Sequence, residues 1–475
     1  MAKVILINPY PYYAQGSNNA LLSPPLGLAY LSAELESKNH RVQIIDAHIA
    51  QIKPQDIMRH FDFPADLIGI YSSILNYRAA IECAVAIKSH SSSILPIVLG
   101  GPFATSLPEM ILQKNKSIDA IVNGEGEKTL GEIAESLGKG SMFMDISGVV
   151  YKRENDVFYA RPAKKVENLD DILPPAYHLL PPLKYYKARS RGFPVGYLVT
   201  SRGCPSQCIY CNHNIFGTRW RPHSVERVMS EIDYLVSHCG VRQIDILDDN
   251  FTFNRDRTER IISALSSRPY RVLINLQNGI RIDAVDKELL KQMKRAGVFR
   301  IGFGIETAVP RIQETIRKPI NLEKAVRMMR YAKSIGMVVY GYFMLGLPGD
   351  DAESMRETID FARRANPHFA NFSICVPFPG TELFESIKEH GIFLENIENG
   401  IEAGFFGNKI FFQLEAMNGQ VTSEYFRTAY RTFYARPLKI METLSTIRSF
   451  AEAKWLVRVI GDIYQAIKGS RQKRG

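Results

Sequence analysis

Three cysteines stand close together near the middle of the chain, and their spacing is the strongest chemical signal in the sequence. Cys204, Cys208 and Cys211 follow one another as C-x3-C-x2-C within the segment Ser201–Asn212. Three thiolates on one loop can each bind one iron of a cubane iron–sulfur cluster. The fourth iron is then left without a protein ligand, so a small molecule with an amino group and a carboxylate can chelate it.

A structural zinc site is the competing interpretation of the same loop. Such sites use four ligands, commonly two pairs of cysteine or histidine. The other cysteines, Cys83, Cys239 and Cys375, are scattered, and His213 would act only in a cramped Cys-x-His geometry. We therefore favour the cluster. We expect the scattered cysteines to be inert packing residues, although Cys375 falls on a strand where it could approach a substrate.

The cysteine loop directly follows the first strand of a regular strand–helix series in residues 191–389. Six such units predict a partial (β/α)6 TIM-type barrel, in which chemistry belongs at the carboxyl ends of the strands. The predicted strands are Val195–Thr200, Gln243–Leu247, Arg271–Leu276, Arg300–Ile305, Val338–Leu345 and Asn371–Val376. The predicted helices are Val225–Ser237, Arg255–Ser266, Lys287–Ala296, Leu322–Ser334 and Ala352–Arg364.

From the cysteine motif onward the chain resembles the radical S-adenosylmethionine (SAM) superfamily. In that family an aromatic residue before the third cysteine lies near the adenine, and polar residues after strands two and four contact the rest of SAM. The segments Asp248–Asn250 and Gly304–Thr307 hold those places, as do Gly346–Gly349 and Pro377–Thr381 at later strand ends. The resemblance implies a [4Fe–4S] cluster on the three cysteines, and SAM contacts by Tyr210, Asp248, Asp249 and Glu306.

Residues 1–140 alternate short apolar runs with helical stretches, which predicts a flavodoxin-like, doubly wound parallel sheet. Ligands of this fold class bind beyond the carboxyl ends of the strands. The predicted strands are Lys3–Asn8, Arg41–Asp46, Asp66–Ser72, Pro96–Gly100 and Asp119–Val122, with helices at Leu26–Lys38 and Arg78–His90.

This region resembles the cobalamin (B12)-binding domain that precedes many radical SAM barrels. The resemblance rests on the motifs Leu6–Pro9, Ser23–Leu28, Gly100–Pro102 and Asn123–Glu127. Some B12 proteins supply a cobalt ligand from a D-x-H-x-x-G loop after strand one, which is absent here, and we interpret His48 as a rim residue. A flavodoxin-like domain without a cofactor is the alternative. The resemblance implies cobalamin contacts by Asn8, Ser72, Ser73, Gly100, Gly101, Gly124, Glu125 and Gly126.

The remaining segments are a connector and a carboxy-terminal region. Residues 141–190 contain a hairpin-like stretch at Gly148–Tyr159 and a Pro-Pro boundary signal, so we predict a linker. Residues 390–475 are predicted to be helical, with an apolar stripe from Ile440 to Ile467. More than half of the net charge of +10 lies after residue 435. This stripe could cover the barrel or lie on a membrane surface.

Composition and termini bound the location and the partners. No apolar run is long enough to span a bilayer, and the start lacks a signal peptide, so we expect a cytoplasmic protein that could associate with a membrane surface. The local basic charge does not indicate nucleic-acid binding. The family resemblance implies a hydrophobic small-molecule substrate and an electron donor such as flavodoxin or ferredoxin.

The resemblance implies a reaction in which SAM is cleaved reductively and a methyl group passes through cobalamin to an unactivated substrate carbon. The alternatives are a cobalamin-containing radical SAM cyclase or oxidoreductase without methyl transfer, and an iron–sulfur or B12 sensor. A tRNA methylthiotransferase fits less well, because that group carries a second cysteine trio in its amino-terminal domain, whereas this one has only Cys83.

Overall fold

The computed structural model describes residues 1–11, 23–91, 95–137, 143–154, 156–186, 190–397, 409–414, 419–457 and 461; for Gln277 it describes the backbone alone. These residues form two compact units. The first contains the described residues within Met1–Ala188, Asn212–His223 and Asn396–Ala403. The second contains those within Arg189–Cys211, Ser224–Glu395 and Gly404–Gly475. The predicted linker, residues 141–190, therefore falls almost entirely in the first unit.

The first unit is built on a seven-stranded sheet of order β2-β1-β3-β4-β5-β6-β7. The first five strands are parallel, and the last two add an antiparallel hairpin at one edge. The predicted doubly wound fold is confirmed. The strands are β1 (Lys3–Asn8), β2 (Arg41–Asp46), β3 (Leu67–Tyr71), β4 (Ile97–Gly100), β5 (Ala120–Val122), β6 (Val149–Arg153) and β7 (Asp156–Tyr159).

Helices cover the parallel strands, which is why β1 reads as a continuous apolar run and is buried almost throughout. Short 3-10 turns occur at Pro54–His60, Leu169–Asp171, Tyr177–Leu179 and Leu183–Tyr185. The helices are α1 (Leu26–Ser37), α2 (Ala47–Ala50), α3 (Tyr77–His90), α4 (Pro102–Ser106), α5 (Pro108–Lys114) and α6 (Glu127–Ser136).

The second unit contains a six-stranded parallel sheet in which the strands follow one another in chain order from β8 to β15. This arrangement confirms the predicted partial (β/α)6 barrel. The six strands of this sheet are β8 (Val195–Leu198), β11 (Gln243–Ile246), β12 (Leu273–Ile280), β13 (Val298–Glu306), β14 (Val338–Leu345) and β15 (Phe369–Ile374). Two short strands lie before and after the cysteine loop in the chain: β9 (Ser201–Arg202) and β10 (Arg221–Pro222), of which β10 belongs to the first unit. Two more short strands pair with each other, β16 (Ile392–Phe393) and β17 (Phe412–Gln413).

The barrel helices begin where a capping side chain follows a loop. Ser224, Asn254, Asp286, Asn321 and Asp351 each accept a hydrogen bond from a free amide of the first helical turn. The helices are α7 (Val225–Ser237), α8 (Arg255–Ser266), α9 (Lys287–Arg295), α10 (Pro310–Thr315), α11 (Leu322–Ser334), α12 (Ala352–Ala365), α13 (Glu382–His390), α14 (Gly419–Tyr434) and α15 (Pro437–Leu444); Ile282–Ala284 form a 3-10 turn.

The carboxy-terminal stripe is interrupted rather than continuous. Helix α15 ends at Leu444, and the chain is helical again over residues 450–457. Leu456 packs against Val338, Tyr340 and Phe369 at the amino-terminal ends of β14 and β15, so part of the stripe does cover the barrel. The stripe residues Ile460, Ile463 and Ile467 lie outside the described residues. Within the described part of the chain, no helix has the length and apolar character needed to cross a membrane.

Candidate functional site

The cysteine loop follows β8 at the carboxyl end of the first barrel strand. Cys208 is buried, Cys204 is half-buried and Cys211 is exposed. Ile209 anchors the loop on two sides: its amide donates to the carbonyl of Ile316 (3.3 Å), and its carbonyl accepts from the amide of Leu383 (2.9 Å). The loop is thus held by the segments that follow β13 and β15.

Two adjacent carboxylates fix the start of this loop. Asp248 is fully enclosed and accepts hydrogen bonds from the Thr200 amide (2.5 Å), the Thr200 hydroxyl (2.5 Å) and the Ser201 hydroxyl (2.6 Å). Burial raises the pKa of Asp248. Asp249 Oδ2 accepts from the amide of Gly203 at 3.1 Å. Asp248 and Asp249, both predicted as SAM contacts, therefore accept hydrogen bonds from the backbone and hydroxyl groups that lead into the cysteine loop.

A lysine that the sequence analysis did not single out joins the other two predicted SAM contacts. Lys318 Nζ lies 2.6 Å from Glu306 Oε1, and it lies 6.0 Å from the ring centroid of Tyr210. A Cβ on Gly304 would come within 2.7 Å of the same Nζ, so glycine makes room for the ion pair. Lys318 follows α10 and carries no motif; the contact with Glu306 arises only from the folded loop.

Positive charge surrounds the buried thiol of the cysteine loop. A hydrogen bond from Cys211, the ammonium of Lys318, a hydrogen bond from Tyr210 and the guanidinium of Arg281 lower the pKa of Cys208 to about 6. Arg281 also donates to Ser206 Oγ of the loop at 3.2 Å. The same hydrogen bond raises the pKa of Cys211, so Cys208 is the more readily deprotonated thiol of this pair, and the thiolate is the form of cysteine that binds iron.

The residues present fit an iron–sulfur cluster and SAM by the chemistry of their donors. Among the described residues no three His, Cys, Asp or Glu side chains are gathered as a preformed site for a metal ion. The fit rests instead on three thiols of one loop and on polar atoms that lack a partner. Asn250 Oδ1 and Thr252 Oγ1, which follow β11, are buried without a hydrogen-bond partner in the described part of the chain. Such acceptors suit an ammonium or hydroxyl donor.

The first unit gathers most of the predicted cobalamin residues at the carboxyl ends of its strands. Asn8 ends β1 and donates to Asp46 Oδ1 at 2.8 Å. Ser72 follows β3; its amide donates to the carbonyl of Gly100 (2.7 Å), whereas its buried Oγ has no hydrogen-bond partner among the described residues. Ser73 donates to Asn76 through its amide at 2.6 Å. An unpaired hydroxyl at this edge fits a polar ligand such as the corrin side chains of cobalamin.

Glycine is required directly after β4, at the same edge of the sheet. Gly101 has φ of +105°, and a Cβ there would approach the carbonyl oxygen of Ser72 to 2.6 Å and the ring of Tyr71 to 2.9 Å. Only glycine adopts this conformation without strain. These contacts explain why glycine stands at position 101, and the contact of Gly100 and Gly101 with a flat ligand stays a prediction.

The loop after β5 contains a buried ion pair that the sequence did not reveal. Glu125 and Arg221 form a nearly fully buried ion pair (2.5 Å), and Glu125 also accepts from the amide of Val166 at 3.0 Å. The carboxylate of Glu125 thereby ties residues 212–223 and the predicted linker into the first unit. The neighbouring residues of Glu125 are both glycines. The amide of Gly124 donates to Thr105 Oγ1 (3.1 Å), and a Cβ on Gly126 would lie within 3.2 Å of the side chains of Leu31 and Val122.

Two residues that the sequence analysis left open lie in apolar surroundings. The ring of His48 is half-buried with its centroid 6.1 Å from that of Tyr10, and burial lowers its pKa to about 4, so it is neutral at physiological pH. Cys375 is fully buried just after β15, and burial raises the pKa of its thiol. A protonated, enclosed thiol agrees with the packing role expected for Cys375.

Two family models match separate parts of this chain, and one relative matches nearly its whole length. The radical SAM superfamily model matches residues 198–362, and the B12 binding domain model matches residues 17–134. An uncharacterized methyltransferase of Pyrococcus horikoshii is 32% identical over 98% of this chain and 99% of its own length. The cytidylyl-2-hydroxyethylphosphonate methyltransferase of Streptomyces wedmorensis is 27% identical over 82% of each chain.

A solved structure shows the same fold at low sequence identity. The radical SAM methyltransferase TsrM from Kitasatospora setae, determined with cobalamin and a [4Fe–4S] cluster bound, superposes with a TM-score of 0.75 at 17% identity. The match covers 98% of this chain and 99% of that one. The fold of this chain is therefore similar to that of a protein of known structure.

Proposed function

Since the chain belongs to the radical SAM superfamily and carries a B12-binding domain ahead of its radical SAM domain, we propose that it methylates an unactivated carbon of a hydrophobic small molecule. The observation that carries this proposal is the anchored loop of Cys204, Cys208 and Cys211 with the Glu306–Lys318 ion pair beside it. Relatives named as methyltransferases support the reaction class.

The cofactors supply the chemistry that no side chain of the chain could perform. When bound, the cluster supplies the electron that splits SAM into methionine and a 5′-deoxyadenosyl radical, and cobalamin carries a methyl group from a second SAM to the substrate carbon. The substrate exchanges one hydrogen for one methyl group. One 5′-deoxyadenosine, one methionine and one S-adenosylhomocysteine are formed, and an external donor such as flavodoxin or ferredoxin supplies two electrons.

The residues of the second unit divide into ligands, SAM contacts and loop supports. We assign Cys204, Cys208 and Cys211 as the cluster ligands. We assign Tyr210 and Glu306 to SAM, and we add Lys318 and Asn250 because of their position and the unpaired Asn250 oxygen. Asp248 and Asp249 act by holding the entry to the loop in place.

The residues of the first unit that we assign to cobalamin lie at the ends of parallel strands, where this fold class binds ligands. Ser72 offers an unpaired hydroxyl, and Gly101 offers backbone without a side chain. The remaining assignments are Asn8, Ser73, Gly100, Gly124 and Gly126. Glu125 contributes to this site by fixing the loop through its ion pair with Arg221.

A hydrophobic substrate and a basic carboxy-terminal region suggest where the reaction takes place. From Arg436 onward the sequence has nine lysines and arginines against three acidic residues. We therefore propose that the enzyme meets its substrate at the surface of a membrane. Contact with a membrane would affect the delivery of the substrate and leave the chemistry of the barrel unchanged.

Anaerobic reconstitution with iron, sulfide and cobalamin, followed by incubation with SAM and a reductant, tests the reaction. We expect 5′-deoxyadenosine from the wild-type protein and its loss in Cys208→Ala, whereas the matched control Cys239→Ala retains it. With lipid and tetrapyrrole candidates, methyl transfer adds one methylene unit to the product mass. A product without that gain would indicate a radical cyclase or oxidoreductase, and a wild-type protein that never forms 5′-deoxyadenosine would indicate a sensor.

A further inference from the structure

Helix α15 buries polar side chains and exposes apolar ones, which is the reverse of an ordinary surface helix. Its polar residues Lys439 and Thr443 are buried, whereas Leu438 and Met441 expose 81% and 66% of their surface. Ile440 and Leu444 are each 50% exposed. A surface helix normally turns its apolar stripe toward the core. The outward apolar face therefore adds nothing to the core of the second unit.

Specific polar contacts hold this orientation. The ammonium of Lys439 donates to the carbonyl of Pro367 and to Glu442 Oε2 (2.7 Å), and Thr443 Oγ1 donates to the carbonyl of His368 at 3.4 Å. Glu442 also pairs with Lys333 of α11. Rotating α15 to bury its leucines would break all of these bonds, so the exposed face is fixed by the fold.

The next helical stretch, residues 450–457, repeats the pattern. Phe450 and Val457 are 85% and 72% exposed. Glu452 points inward instead, 3.1 Å from the guanidinium of Arg300 and 3.3 Å from that of Arg191. Large apolar side chains are thus exposed in both helical stretches between residues 438 and 457, and exposed apolar surface of this kind marks interaction sites.

The charges of this segment distinguish between the partners that could cover it. Both carboxylates of residues 436–457, Glu442 and Glu452, are engaged in ion pairs with groups of the second unit. The exposed charged side chains of the same residues are Arg448 and Lys454, which are both positive. A two-fold contact between copies would bring these like charges to one interface. An anionic surface would complement them.

We propose that the face formed by Leu438, Ile440, Met441, Leu444, Phe450 and Val457 docks on a bilayer containing anionic lipids. The apolar side chains would enter the interface between headgroups and acyl chains, and Arg448 and Lys454 would meet the lipid phosphates. The link to substrate delivery rests on the proposed function, but the binding itself does not require catalysis. Failure of either part can therefore be recognised separately.

Flotation of the full-length protein with lipid vesicles tests the surface. We expect binding to phosphatidylcholine vesicles that contain phosphatidylglycerol, weaker binding to phosphatidylcholine alone, and a decrease as salt is raised. The variant Leu438→Ser/Met441→Ser/Phe450→Ser should lose at least about tenfold in vesicle affinity through lost apolar burial. The variant Arg448→Gln/Lys454→Gln should lose about fivefold per charge on anionic vesicles only.

A matched control removes exposed apolar residues elsewhere. Val85→Ser/Met144→Ser/Ile392→Ser changes three exposed side chains of other segments, and it should float like the wild type. Equal flotation of the two apolar triple variants would overturn the proposal. The proposal would also be overturned if the wild-type protein bound none of the vesicles. It would be overturned as well if the wild-type protein formed a dimer that the Leu438, Met441 and Phe450 substitutions abolish.

Discussion

Lys318 and Glu306 form an ion pair of 2.6 Å at the carboxyl end of β13, with both side chains nearly buried. Glu306 has a positive φ of 63°, a conformation that costs a non-glycine residue on the order of 1–3 kcal/mol. Strain of this kind persists where the surroundings impose it. The ion pair is part of those surroundings, and Lys318 also lies 6.0 Å from the ring of Tyr210 in the cysteine loop.

Replacing Lys318 by methionine should destabilise the second unit and weaken SAM binding. The substitution leaves the Glu306 carboxylate buried without its partner, which costs on the order of 3 kcal/mol. Urea denaturation and SAM titration of the reconstituted protein measure the two effects. Lys318→Arg retains the charge and should lose much less. A Lys318→Met protein with wild-type stability and SAM affinity would show that the ion pair serves neither purpose.

The stability of the barrel should depend on the protonation of Asp350. This carboxyl, in the loop after β14, accepts from the amide of Leu347 (3.0 Å) and the hydroxyl of Ser354 (2.7 Å), and burial raises its pKa from 3.8 to about 6. Because the folded state holds the proton more tightly than the unfolded state, this group favours folding at low pH. Its contribution falls as pH rises from about 4 to about 6.

The expected change is about 3 kcal/mol, from a shift of about two pKa units at 1.36 kcal/mol each. Asp350→Asn removes the titration while keeping a similar shape. The difference in unfolding free energy between wild type and Asp350→Asn should therefore move in favour of the wild type as pH is lowered from 7 to 4. A difference that stays constant over this range would contradict the raised pKa.

The alternation of apolar runs and capped helices predicted the architecture well, because both features are local. Strands β2 and β14 and helices α7, α8 and α11 have the bounds that the sequence predicted. Strand β12 is longer than predicted and runs to Ile280. In this strand the side chain of Asn278 donates to the carbonyls of Leu247 and Asp248, a contact that a local pattern does not encode.

Residues whose roles depend on distant partners were missed or only half understood. Arg221 meets Glu125 across 96 positions of sequence, and nothing in either motif indicates the pairing. The apolar stripe that begins at Ile440 was visible in the sequence, but periodicity cannot tell which side of a helix faces the protein. In α15 the buried contacts of Lys439 decide that orientation.

Substituting Gly101 by alanine should strain the edge of the first sheet. The added Cβ would meet the Ser72 carbonyl at 2.6 Å with φ of +105°, so we expect a loss of about 1–3 kcal/mol and weaker cobalamin binding. Thermal unfolding and cobalamin titration measure these effects. Gly27→Ala is the control, because a Cβ there meets nothing within 4 Å and lies in α1; it should leave stability unchanged or slightly raise it.

The buried ion pair between Arg221 and Glu125 should matter far more than the exposed pair beside it. Arg221→Gln leaves the Glu125 carboxylate buried and unpaired, at a cost of about 3–5 kcal/mol. Arg219 pairs with Glu167 at the surface, where such pairs contribute about 0–1 kcal/mol, so Arg219→Gln is the matched control. Hydrogen exchange of the amides in residues 212–223 and of Val166 reports local opening. We expect faster exchange in Arg221→Gln alone, since Glu125 accepts the hydrogen bond of the Val166 amide directly. Equal exchange in both variants would show that Glu125 does not hold residues 212–223 and Val166 in place.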